Sequence, residues 1–163
     1  MWPQCPAGPD NEGRISDNWL HYVPVDIEYR PTPEAANLAV ALLKSLTSTV
    51  EGVEAKFHDD IAFVDPGSNW SGVECSICGA DAESWWGQAM DAAWKRRPIK
   101  LDVIADCCGA RVSLNELRYG WPVAFGRSVL SAMNPRVGRL TAEQEGELAQ
   151  CLGCELNKVW RHF

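Results

Sequence analysis

Residues 21–46 read HYVPVDIEYRPTPEAANLAVALLKSL, and two periods meet inside them. Val23, Val25, Ile27 and Tyr29 alternate with Pro24, Asp26, Glu28 and Arg30, which is the two-residue period of a half-buried strand. Pro24 puts that strand at a sheet edge, or the residue near a strand start, because proline has no N–H to give a ladder. Thr32-Pro33-Glu34 then reads as a helix opening: a capping hydroxyl, proline at the first helical position and an acid in the first turn. Ala35, Leu38, Ala39, Leu42 and Leu46 mark the apolar face of that helix. A strand that feeds a helix and is followed by more strands points to α+β.

The same mixture continues on both sides. Val53, Ala55 and Phe57 alternate with Glu54, Lys56 and His58; Asp59-Asp60 offers a turn, and residues 61–64 a second short strand. Pro66-Gly67-Ser68-Asn69 closes it as a loop. A helix is expected over 83–97, with Trp86, Met90, Ala93 and Trp94 on its buried face. It stops at Lys95-Arg96-Arg97 before Pro98, the basic residues complementing the helix dipole. Ile99, Leu101, Val103 and Ala105 alternate as another strand. Ser113 with Glu116 fits a capping box for a short helix. Gly126, Ser128 and Ser131 tip residues 123–133 toward strand, and Asn134-Pro135 makes a turn. Thr141 with Gln144 opens a last helix that stops before Gly153, and residues 156–163 read as a final strand. Residues 1–20, broken by Pro3, Pro6, Gly8, Pro9 and Gly13, are expected to be a poorly ordered lead-in.

Composition narrows the function classes. A chain of 163 residues suits one compact domain, and at this length about 70% of the surface can be buried without help from disulfides. No apolar run approaches the length of a membrane helix. The opening MWPQCPAGPD lacks the basic and apolar regions of a secretory signal, so a cytoplasmic protein is expected. Net charge is −7, with residues 1–91 carrying −11 and residues 92–163 carrying +4. Such acidity disfavours general nucleic-acid binding and favours basic partners. Phosphate-loop, dinucleotide, nucleophile-elbow and H-E-x-x-H motifs are all missing. His21, His58 and His162 stand in no recognisable catalytic arrangement, and each reads as a surface or hydrogen-bonded structural residue.

The seven cysteines carry the sharpest signal. Six fall in close pairs, Cys75/Cys78, Cys107/Cys108 and Cys151/Cys154, the way metal ligands are delivered; Cys5 stands alone. Cys75-Ser-Ile-Cys78-Gly79 resembles the knuckle of a zinc ribbon, in which two thiolates on a tight turn share one metal. Cys107-Cys108-Gly109 would be the second half. It departs from the standard spacing, since the position that C-x2-C requires is Ala105. Four ligands, Cys75, Cys78, Cys107 and Cys108, are therefore expected to hold one structural zinc. Cys151 and Cys154 sit at the C-terminal end of a helix, the wrong end to lower a thiol pKa for redox work, so a core or incidental place is expected, with the pair a rival source of metal ligands.

CSICG, the Trp85-Trp86 helix, CCG and then Ser113-Leu-Asn-Glu-Leu-Arg-Tyr-Gly-Trp-Pro122 resemble a group of small bacterial proteins over roughly residues 60–135. That resemblance implies four cysteines acting together in a bacterial cytoplasm; it implies no catalytic residues. The whole then reads as an α+β domain over 21–163, one sheet with helices packed on it and a zinc-ribbon-like knuckle inserted at about 73–110. The expected function is a non-enzymatic protein-binding module, in its most concrete form an immunity- or antitoxin-like protein covering a toxin domain. Asp59, Asp60, Asp65 and Glu74 are the candidate acidic binding face. Trp70 and Trp85 are candidates either for interface anchors or for covers over the knuckle. The alternatives are a zinc-ribbon nucleic-acid or transcription factor using Lys95, Arg96, Arg97, Lys100 and Arg111, and a small enzyme around His58.

Overall fold

The computed structural model describes residues 17–47, 52–135 and 139–163. In chain order the elements are β1 (Asn18–Pro24), α1 (Pro33–Thr47), β2 (Val53–Val64), β3 (Val73–Glu74), α2 (Glu83–Trp94), β4 (Asp102–Ile104), β5 (Arg111–Ser113), β6 (Arg118–Tyr119), β7 (Ala124–Met133), α3 (Ala142–Leu152) and β8 (Leu156–His162). The fold is α+β. The expected single sheet is three: an antiparallel sheet in the order β2-β7-β1-β8, and two ribbons, β3-β6 and β4-β5.

Alternation along each strand sorts the main sheet into two faces. Leu20 pairs with Ala132 and Trp160, and Ala132 with Val53, so one row crosses all four strands. Helices α1 and α3 cover that face, where Leu20, Tyr22, Leu130 and Ala132 pack with Ala39, Leu43, Leu148 and Leu152. Each fully buried leucine there, such as Leu43 and Leu148, contributes roughly 1.5–3 kcal/mol.

Strands β2 and β7 are sheet neighbours, yet residues 65–123 separate them in sequence. This insertion has its own core. Val73, Cys75, Trp85, Ala93, Ile99, Leu101, Val112 and Leu114 form it, and Ile61 and Phe125 from the main sheet join it. It begins before and ends after the expected 73–110, because α2, both ribbons and the β6 corner all pack on that second core.

Several local expectations shift for identifiable reasons. Residues 1–16 of the expected lead-in lie outside the described residues, whereas 18–20 belong to β1. Strand β1 is internal rather than an edge, with Pro24 as its last residue. Alternation past Pro24 does not continue as strand: the Asp26 carboxylate accepts from the Glu28 amide, its carbonyl accepts from Tyr29, and the chain turns. Thr32 caps α1 as read, its hydroxyl accepting from the Ala35 amide at 3.1 Å. The buried face is rotated, however, to Ala36, Ala39, Leu43 and Thr47, leaving Leu38 66% exposed.

Asp59-Asp60 makes no hairpin turn. Strand β2 runs on through it with a register irregularity between Phe57 and Ala62. Helix α2 ends at Trp94, three residues before the expected 97; Arg97 Nη1 donates to the Trp94 and Arg96 carbonyls and so satisfies the helix end. The expected strand 99–105 is regular only over β4, although Ile99, Leu101 and Ala105 are buried in alternation. Ser113 caps a single 3-10 turn over Leu114–Glu116, not an α-helix. Strands β7 and β8 and the capping box of α3, with both arms made between Thr141 and Gln144, follow the sequence reading.

Candidate metal centre

Two turns with the same backbone bonding carry the four cysteines. In the first, the Cys75 amide donates to the Ala80 carbonyl at 2.8 Å and the Gly79 amide donates to the Cys75 carbonyl at 2.9 Å. In the second, Ala105 N donates to Ala110 O at 2.8 Å and Gly109 N donates to Ala105 O at 2.7 Å. Gly79 and Gly109 close these turns at φ +75° and +71°, a left-handed conformation that a side chain would strain. The ladder β4-β5, with Ile104 opposite Arg111, fixes the base of the second turn. A bridge between Glu74 and Asp81 fixes the base of the first.

The turns bring Cys75, Cys78, Cys107 and Cys108 together, with all four sulfurs within 4.8 Å of one another. Cys75 and Cys108 Sγ lie 4.0 Å apart, and Cys78 and Cys107 Sγ 3.4 Å. A metal with ~2.3 Å bonds to sulfur sets tetrahedral edges of about 3.8 Å, so these spacings suit one ion at the centre. All four are free thiols, and only Cys75 is buried. Four sulfurs with no imidazole or carboxylate form a soft donor set, which suits thiophilic ions over calcium or magnesium. This cluster can hold one metal ion.

The electrostatics of the four thiols favour a cation among them. The Cys78 amide, then the Ile77 amide, bonds the Cys75 sulfur and holds its thiol down to about 7. Cys107 is pushed up to about 12, first by lost hydration and then by the Cys78 and Cys75 thiols beside it. At Cys108 the Ala110 amide lowers the value, but lost hydration and the same sulfur neighbours outweigh it, and the thiol is raised. One thiolate forms readily and its neighbours resist a second charge; a bound cation removes that repulsion and displaces the protons.

The other cysteine pair stays apart from this cluster. Cys151 and Cys154 are half-buried against the α1–α3 core, as the sequence reading expects. Cys5 lies outside the described residues.

The acidic and aromatic candidates are mostly engaged inside the molecule. Asp60 Oδ1 accepts from the Ile61 amide and Oδ2 from the Ile99 amide, latching β2 to the insertion. Asp65 Oδ1 accepts from the Gly67 amide and pairs with Arg161 at 3.4 Å. Asp59 and Glu74 are exposed. Trp85, expected off the buried face of its helix, is buried in the same core as Cys75 and offers little surface to a partner. Its neighbour Trp86 is half-buried and packs against the same core, its Nε1 donating to the Tyr119 hydroxyl at 3.2 Å. Trp70 is half-buried, its ring 4.8 Å from Trp86 and its Nε1 donating to Glu83 at 2.8 Å.

His58 lies on the uncovered face of the main sheet, in a cavity of about 320 Å³ that also contains His21 and Glu54. Glu54 there is paired with Lys56 at 3.2 Å. His21, which reads from the sequence as a surface or hydrogen-bonded structural residue, is buried in β1 and shares a hydrogen bond with Ser131 Oγ at 2.7 Å.

No helix among the described residues is long and apolar enough to cross a membrane. Compared with protein-family models, with curated proteins and with solved structures, the chain matches none, so its own geometry carries the functional argument.

Proposed function

We propose that this chain is a non-enzymatic protein-binding module held in shape by one structural zinc at Cys75, Cys78, Cys107 and Cys108. The observation that carries the reading is the donor set, four thiols within 4.8 Å of one another. Four thiolates complete the tetrahedron that zinc prefers, so no position remains for the open water of a catalytic zinc. The six described cysteines are all free, which supports a reducing compartment and hence the cytoplasm. Ile77 and Ile104 are 61% and 63% exposed on the two segments that the ion would join, so the metal would hold two apolar side chains in a fixed arrangement. The net charge of −7 favours encounter with a basic protein. A small acidic cover for a toxin domain, immunity- or antitoxin-like, is the most concrete form of this reading.

Elemental analysis of protein purified without added metal is the first test, with about one zinc per chain expected. The second is co-purification from the source cytoplasm. A basic protein should be retained in a salt-sensitive complex that Ile77→Asp and Ile104→Asp weaken while metal content stays unchanged. Protein with no metal, or a metal-loaded monomer that retains no partner, overturns the reading.

One groove favours a second reading. Arg96, Lys100 and Arg111 line a cavity of about 380 Å³ between α2 and the β4-β5 ribbon, beside Val103 and Ile104. The carboxylate of Asp102 pairs with Arg111 at 3.7 Å, so cations outnumber it and an anionic ligand such as nucleic acid is favoured. Binding to generic RNA or DNA that weakens with salt supports this reading; no binding at low salt removes it.

A further inference from the structure

The main sheet carries helices on one face, and the opposite face presents a different set of side chains. One row across its four strands runs Glu54, Ser131, His21 and Val159. Trp19 stands opposite Arg161 in the adjacent row, and Lys56 opposite Val129. With Phe63 and Phe163 they line the cavity of about 320 Å³, a size ordinary for small-molecule sites.

His21 is the centre of this face. It is 8% exposed, and its Nδ1 shares a hydrogen bond with Ser131 Oγ at 2.7 Å. The Trp19 indole stacks on the imidazole, ring centres 5.8 Å apart and planes within 5°. The other ring nitrogen, Nε2, is buried and has no hydrogen-bond partner among the described residues. Buried polar atoms without partners are rare in native structures, and an orphan in a cavity wall marks a place for a ligand atom. Charge says which kind. Lys56 and Arg161 line the cavity with Glu54 as the one acidic side chain among its lining residues, so cationic side chains outnumber acidic ones there.

We propose that this cavity binds a small planar carboxylate, whose oxygen accepts from His21 Nε2–H and whose apolar body lies against Trp19, Phe63 and Phe163. The Ser131 hydroxyl donates to Nδ1 in this arrangement, which places the imidazole proton on Nε2. Lys56 on β2 and Arg161 on β8 complement the anion from the two edge strands of the same face. The site is separate from the four-cysteine cluster, and it requires neither the metal nor a protein partner.

The test is titration of the full chain with benzoate, followed by the ¹⁵N shifts of the His21 imidazole and the Trp19 indole. Saturable shifts at both rings are expected, with the neutral isostere benzamide at least about tenfold weaker. His21→Gln should abolish the response. Because His21 sits in an internal strand and that variant can fail to fold, Lys56→Gln provides the second arm: its side chain is 59% exposed, and benzoate affinity should fall severalfold with the spectrum otherwise unchanged. Absence of saturable shifts at millimolar benzoate, equal binding of benzamide, or unchanged affinity in both Lys56→Gln and Arg161→Gln overturns the proposal.

Discussion

Ala105 holds in the second knuckle the position that Cys75 holds in the first. Both residues are fully buried, both amides donate to the carbonyl five residues on, and both carbonyls accept from the glycine four residues on. The second turn is therefore a knuckle in its backbone and lacks only the first sulfur. Cys107, which stands where Ile77 stands in the first turn, supplies the fourth sulfur from a different position.

The equivalence predicts a relocation. The double variant Ala105→Cys/Cys107→Ala should keep one bound metal per chain, because the new thiol starts from the backbone geometry of Cys75. Cys75→Ser and Cys107→Ser alone should each lose metal and melt roughly 10 °C or more lower, the scale on which removing a structural metal acts. Metal content and thermal melts of the three proteins check this.

Asp60 should act as a latch between the two cores. The Ile99 amide, and after it the Ile61 amide, holds its carboxyl below the usual carboxylate range. A carboxylate lowered by folding stabilises fully above its unfolded value near 3.8, and that stabilisation is lost as pH falls through the lower folded value. Asp60→Asn should melt lower at neutral pH and show a shallower loss of stability in acid, read from melts between pH 7 and pH 2.

His21 should shape stability at milder acidity. Burial first, and the Arg161 charge second, lower its imidazole from 6.5 to about 4. The unfolded chain takes up a proton in that interval and the folded chain does not, so stability falls as pH drops from 6.5 toward 4 and levels off below. The full difference is about 3 kcal/mol by the free energy of a pKa shift. Urea melts at pH 7.5, 5 and 4 should show that slope, and His21→Gln should flatten it while the acid limb assigned to Asp60 remains.

Two apolar residues exchange their expected importance. Trp85→Ala should cost about 3–5 kcal/mol, because it empties a buried site in the core that contains Cys75. Leu38→Ala, on the helix face that the structure leaves in solvent, should change stability by no more than about 0.5 kcal/mol. Denaturant titration of both variants decides the assignment.

Much of the local structure was legible. Thr32 and Thr141 open their helices as read, since a capping hydroxyl three residues from a free amide is a purely local device. Strand β7 was readable from Gly126, Ser128 and Ser131 against helix propensity, whereas β8 has no such local signal and is a strand through its pairing with β1. On α1 the buried face is shifted from the expected one toward Ala36 and Leu43, leaving Leu38 exposed, whereas on α2 the expected Trp86, Met90, Ala93 and Trp94 all pack on the second core and Trp85 joins them.

By itself the sequence determined the class of elements, their caps and the two cysteine-bearing turns, because those depend on side-chain chemistry within a few residues; bringing the two turns together is long-range. Tertiary structure alone decided three things. It ran β2 straight through Asp59-Asp60, since pairing with β7 and the two amides bound by Asp60 outweigh local turn preference. It made residues 65–123 an insertion with a core of its own, because Ile61 and Phe125 bring the ends of β2 and β7 to that core. It also set His21 beside Ser131 and Arg161, residues more than a hundred positions away, because register across a sheet is fixed by the whole of its buried face.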